Sequence, residues 1–153
     1  MSRKTFTVVA VVGALALPAA AGAEIATFAE AKRGKLHVLS SVLVARKAAD
    51  MRGGWFNTAV PCTAERRLRV TIEVHRSTAN SGAALAASKT RRVANCAEGG
   101  PNLGFNVTAR SAGFACPDGT WRRGRYDFVT RTKHLASGVV AVASLGWTKH
   151  GAC

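Results

Sequence analysis

Residues 67–76 (RLRVTIEVHR) alternate without a break. Leu68, Val70, Ile72 and Val74 point one way; Arg67, Arg69, Thr71, Glu73 and His75 point the other. A period of two puts one face in an apolar interior and the other in water, as in an antiparallel sheet. The same period recurs along the chain. Residues 35–46 set Leu36, Val38, Ser40, Val42 and Val44 on one face, and Leu103, Phe105, Val107 and Ala109 alternate again. Residues 121–133 predict a strand with Tyr126, Phe128 and Thr130 on one side, and residues 139–147 predict the last one. A short strand is expected over 55–61 and an extended run over 83–97. Turn signals fall between them: Asp50 with the pair Gly53-Gly54, the polar stretch 77–82, and the segments 98–102, 116–119 and 134–138. No long stretch carries a helical period, and no GxGxxG element or βαβ alternation occurs. About seven short strands with turns every 8 to 12 residues or so predict an all-β antiparallel sandwich.

Residues 1–23 have the build of a secretory signal peptide. Arg3 and Lys4 are followed by an apolar stretch from Val8 to Ala21 and by Ala21-Gly22-Ala23, small-x-small. The stretch is shorter than the roughly 20 residues a membrane-spanning helix needs. The mature chain is therefore expected to start near Glu24. Residues 24–34 would be an N-terminal arm, loose or a helical turn, and residues 35–153 a single domain with no transmembrane span. Export means an oxidising compartment, so the four cysteines, Cys62, Cys96, Cys116 and Cys153, read as two disulfides. Four cysteines allow three pairings. A zinc site is disfavoured because no C-x-x-C or H-x-x-x-H pair is present.

Charge is the unusual property. The chain carries 22 basic and 8 acidic residues, net +14. Without Arg3 and Lys4 the net charge is +12, and fourteen of the remaining twenty basic residues are arginine. They recur at outward strand positions: Arg67 and Arg69; then Arg123, Arg125 and Arg131, with Lys133 beyond. Arg91, Arg92 and Arg122 fall near strand ends. Arginine forks match phosphate and carboxylate geometry, and a large positive charge attracts polyanions. Arg67, Arg69, Arg122, Arg123, Arg125, Arg131 and Lys133 are thus candidate contacts, with Trp121 placed to stack on a base or sugar ring. The partner would be anionic wall polymer, acidic polysaccharide or extracellular nucleic acid. The competing view is a basic, soluble surface with no dedicated ligand.

Catalytic signals are weak. His37, His75, His134 and His150 are scattered, and the acidic residues form no close pair suited to acid–base work. Ser40 and Ser41 follow His37 but lack a G-x-S-x-G elbow. No catalytic residue, cofactor or metal site is expected. Asn106-Val107-Thr108 fits the glycosylation sequon. Trp55, Trp121 and Trp147 suit either a sugar-binding platform or the core. Gly124-x-Tyr126-x-Phe128 has the spacing of a tyrosine corner, in which the hydroxyl of the only tyrosine would bond to upstream backbone. An ordinary core tyrosine fits equally well.

From Gly54-Trp55-Phe56 to Cys62, through Val70-Thr71-Ile72-Glu73-Val74 to Val93-Ala94-Asn95-Cys96, and on to Phe105-Asn106-Val107 and Gly124-Arg125-Tyr126-Asp127-Phe128, the chain resembles small secreted bacterial proteins with an immunoglobulin-like sandwich. The resemblance covers most of residues 54–147. It implies an immunoglobulin-like fold and the pairing Cys62–Cys96, and with it Cys116–Cys153. It implies no activity, since such families are largely without assigned function. The high arginine content and the second cysteine pair depart from that pattern. The expectation is a secreted, non-enzymatic binding or structural module of the cell envelope or medium, with a basic face for anionic polymer. The alternative is a proteinase inhibitor or small hydrolase acting through a disulfide-braced loop, residues 96–101 or 115–120.

Overall fold

The structure, a computed structural model, describes residues 25–58, 68–78, 81–93 and 103–153, with the backbone alone for residues 78 and 81–93. The expected leader and the pair Cys62–Cys96 lie outside these residues. Among the described residues there are eight strands: β1 (Ile25–Arg33), β2 (Leu36–Val44), β3 (Ala48–Asn57), β4 (Leu68–Thr78), β5 (Ser81–Val93), β6 (Leu103–Thr108), β7 (Gly124–His134) and β8 (Val140–Lys149). They form two four-stranded antiparallel sheets, ordered β1-β2-β3-β6 and β5-β4-β7-β8. No helix occurs among the described residues.

The two-residue period decides which side chains meet between the sheets. Leu36, Val38, Ser40, Val42 and Val44 of β2 are all buried, as are Leu68, Val70, Ile72 and Val74 of β4. Tyr126, Phe128, Thr130, Thr132 and His134 line the inner face of β7. One cluster, around Leu36, Val38, Trp55, Leu68 and Ala141, fills one end of the interior. A larger one, around Met51, Val70, Val74, Trp121, Tyr126 and Phe128, fills the middle and the other end. Each such large side chain contributes about 1.5–3 kcal/mol by leaving water. Ser40 is the one polar residue on the inner face of β2, and it is satisfied across the gap: its Oγ lies 2.7 Å from Thr132 Oγ1 and 3.0 Å from the Ala141 carbonyl oxygen.

Three sequence expectations change. Residues 25–33 form a strand rather than a loose arm or helical turn. Their alanines favour helix locally, but pairing with β2 along the whole length of β1 overrides that preference. Residues 48–54 are strand, not turn, because β3 runs straight through Gly53-Gly54. Gly53 faces inward where the opposite sheet comes close. A Cβ there would meet Thr132 and would lie 2.5 Å from Val70 Cγ2. The glycine marks a close approach of two sheets, and both neighbours are β-branched and stiff at χ1. Gly53→Ala is therefore expected to destabilise the fold by about 1–3 kcal/mol through overpacking, read as a lowered urea midpoint. Finally, Trp121 precedes β7 and makes an isolated bridge with Ala115.

Candidate functional site

Sheet register sorts the basic residues. On the outer face of β4 and β7, Arg69 lies opposite Lys133, Thr71 opposite Arg131, Glu73 opposite Val129, His75 opposite Asp127 and Ser77 opposite Arg125. On β5, Arg92 takes the register position beside Arg69. Arg69, Arg131 and Lys133 thus gather at one end of the sheet. Arg125 belongs to the other end, eight residues or about 27 Å along β7. Between them Glu73 pairs with His75 at 3.2 Å and reaches Arg131 Nε at 4.0 Å.

The far end is built on the segment between β6 and β7. A disulfide joins Cys116 to Cys153, with Cα atoms 5.3 Å apart. It ties the last residue of the chain to a buried position. The Gly119 N–H closes a turn on the Cys116 carbonyl at 2.9 Å, with Gly119 at φ 82°. Asp118 accepts from the Thr120 N–H at 2.9 Å and from its hydroxyl at 2.7 Å. Around this turn stand Arg46 and Lys47, from the β2–β3 turn, and Arg110. Arg46 lies 4.0 Å from the Asp118 carboxylate, and Arg110 donates to the Pro117 carbonyl at 3.4 Å. Arg110 and Lys47 both come within 4 Å of a Cβ built at Gly119. Arg122 donates from Nε to the Ala115 carbonyl at 3.0 Å, and Arg123 is exposed beside it.

The sequence did not single out Arg46, Lys47 or Arg110. Only folding brings the β2–β3 turn against the disulfide loop. Arg76 is a different case. It donates to the Arg123 carbonyl at 2.6 Å and lies over the Phe114 ring at 5.2 Å, so its charge braces the loop from within.

Trp121 does not join this surface. It is fully buried, its indole N–H donates to the Ala45 carbonyl at 3.2 Å, and its ring packs edge-on against Tyr126 and Phe128. It therefore cannot stack on a ligand. Trp55 is also buried, and Trp147 packs partly buried on the core. Tyr126 donates its hydroxyl to the Arg122 carbonyl at 2.7 Å, the upstream backbone bond that its spacing suggested. Arg67 lies outside the described residues.

Five carboxylate side chains are described: Glu30, Asp50, Glu73, Asp118 and Asp127. Four stand within strands. Glu30 accepts from His37 at 2.5 Å and from Lys32 at 3.1 Å, and Asp50 meets Arg52 at 2.6 Å. Among the described residues, none pairs with Arg69, Lys133, Arg122, Arg123 or Arg125. Among the described residues, the outer face of β4 and β7 thus has an acidic waist, Glu73 and Asp127, between two basic ends.

The Thr120 hydroxyl, then the Thr120 N–H, hold the Asp118 carboxyl below its ordinary range, helped by the charges of Arg46 and Lys47. A lowered acid stabilises the folded form above its unfolded pKa, and the effect is lost as pH falls through the folded value. The turn at 117–120 is expected to loosen on acidification below the ordinary carboxylate range. An Asp118→Asn variant should not show that acid step. Amide exchange at Thr120 against pH reads both.

No group of three or more His, Cys, Asp or Glu side chains that could hold a metal occurs among the described residues. His134 and Ser137 are 2.7 Å apart, but the Ser137 N–H also points at the same ring nitrogen and the Val139 N–H at the serine oxygen. That pair closes a turn; it does not free a nucleophile. On the outer face of the other sheet, Phe28, Leu39 and Phe56 are exposed, with His37 stacked on Phe56 at 4.3 Å. No protein-family model, curated protein or solved structure matches the chain.

Proposed function

We propose that this chain is a secreted, non-enzymatic binding module, an immunoglobulin-like sandwich that holds anionic polymer on its basic ends. Export is supported by the basic, apolar and small-residue segments of residues 1–23. Among the described residues, no helix is long and apolar enough to cross a membrane. The fold reading is supported by strand order. With β1 as an added edge, β2-β3-β6 and β5-β4-β7-β8 correspond to strands A-B-E and C′-C-F-G of an immunoglobulin-type domain. Tyr126, near the start of the strand equivalent to F, makes the upstream backbone bond of a tyrosine corner.

One observation carries the binding proposal. Among the described residues, Glu30, Asp50 and Glu73 are spent on basic neighbours within their own sheet, while Arg69, Lys133, Arg123 and Arg125 have no acidic partner. The ligand best suited is an acidic polysaccharide or wall polymer rather than single-stranded nucleic acid. Base stacking needs an exposed ring beside the cations. Trp121 is buried, and the exposed Phe28 and Phe56 face away from Arg69 and Lys133, on the other sheet. The inhibitor alternative draws less support from residues 115–120. They form a tight turn with Cys116 and Thr120 buried, not the extended segment that a proteinase cleft takes.

On immobilised heparin the protein is expected to elute well above physiological ionic strength, about 0.15 M. The double variant Arg69→Ser/Lys133→Ser should elute at lower salt. Elution of the unmodified protein below physiological salt would overturn the proposal.

A further inference from the structure

We infer that the two basic ends act as separate sites, so that one molecule bridges two anionic polysaccharide chains. The inference rests on the binding proposed above and goes beyond it to valency. The first end presents Arg69, Arg131 and Lys133 on the outer face of β4 and β7. The second presents Arg46, Lys47 and Arg123 around the disulfide-closed turn. Along β7 the nearest residues of the two ends, Arg131 and Arg125, are about 20 Å of strand apart. That is roughly two and a half times the Debye length of about 8 Å at physiological salt, so each end is largely screened from the other's charge.

The waist keeps them apart. Glu73 and Asp127 interrupt the outer face of β4 and β7 between the two ends, and on the other sheet Glu30 pairs with Lys32 and His37 and Asp50 with Arg52. A continuous basic track would let a single chain lie along the whole surface. Two tracks divided by acids favour two chains, each held by one end.

The test uses unfractionated heparin as the long probe and a heparin hexasaccharide as the short one. With the long probe, light scattering from the unmodified protein is expected to rise at least tenfold near charge balance. It should fall again in excess polymer, where each end finds its own chain. Two variants each remove one end: Arg69→Ser/Arg131→Ser/Lys133→Ser and Arg46→Ser/Lys47→Ser/Arg123→Ser. Each should still be retained on immobilised heparin, at lower salt, while its scattering falls at least fivefold.

A one-end variant that scatters like the unmodified protein would overturn the inference. So would a variant that loses heparin retention altogether, because that result means one site. Calorimetry of the unmodified protein with the hexasaccharide needs no variant: two equivalents bound supports the inference, and one overturns it. Failure of the underlying binding proposal looks different, namely elution of the unmodified protein below physiological salt.

Discussion

Replacing Trp121 by alanine is expected to lower the unfolding free energy by about 3–5 kcal/mol, the range for deleting a fully buried aromatic side chain. The indole has no exposed surface. It meets Tyr126 at 5.3 Å and Phe128 at 5.4 Å between ring centroids, both edge-on, the arrangement that aromatic quadrupoles favour. Its N–H is anchored on the Ala45 carbonyl, so it also fixes the β2–β3 turn that carries Arg46 and Lys47. Alanine would leave a cavity among stiff neighbours and an unsatisfied carbonyl. Trp121→Phe should cost less, because it keeps a ring and loses the hydrogen bond. Urea unfolding reads both. The folded Trp121→Phe protein should keep its heparin elution position; a large loss of retention without loss of stability would return Trp121 to the binding surface.

Removing the Cys116–Cys153 bridge should have an effect of similar size. The bond closes a sequence separation of 37. In the chain-entropy model such a loop contributes about 4 kcal/mol by restricting the unfolded chain. It also has a local role. β8 is an edge strand ending at Lys149, and the residues beyond it are exposed. Without the bridge that end would fray. Cys116→Ser/Cys153→Ser is expected to lower the urea midpoint and to speed amide exchange at Thr148 and Lys149. Exchange in Val70 and Ile72, in the central strand β4, should change only with global stability. Equal acceleration at both places in excess of the global change would contradict the local role.

Much of the fold was legible because burial has the period of the strand. The alternation in residues 36–44 named every buried residue of β2, including Ser40, and that in residues 68–74 did the same for β4. What was not legible depended on partners distant in sequence. Gly53-Gly54 looks like a turn until Val70 and Thr132 come against the first glycine. Residues 25–33 look helical or loose until β2 offers hydrogen bonds along their length. Trp121, beside two arginines, has the local sequence of an exposed stacking residue. The bend before β7 sends it inward while Arg122 and Arg123 stay out. The candidate surface shows the same division. The register of β4 and β7 brings Arg69 and Lys133 together as outward alternation suggested, but it sends Arg125 to the opposite end. Arg46, Lys47 and Arg110 meet only because a turn from one sheet packs against a loop leading to the other.

The most direct measurement is a titration of the folded protein with a heparin hexasaccharide, followed amide by amide by nuclear magnetic resonance. Shifts are predicted at Arg69, Arg131 and Lys133, and separately at Arg46, Lys47 and Arg123, with Glu30 and Leu39 unmoved. Shifts concentrated instead on Phe28, Leu39 and Phe56, or no saturable shifts at physiological salt, would contradict a protein that binds through two basic ends.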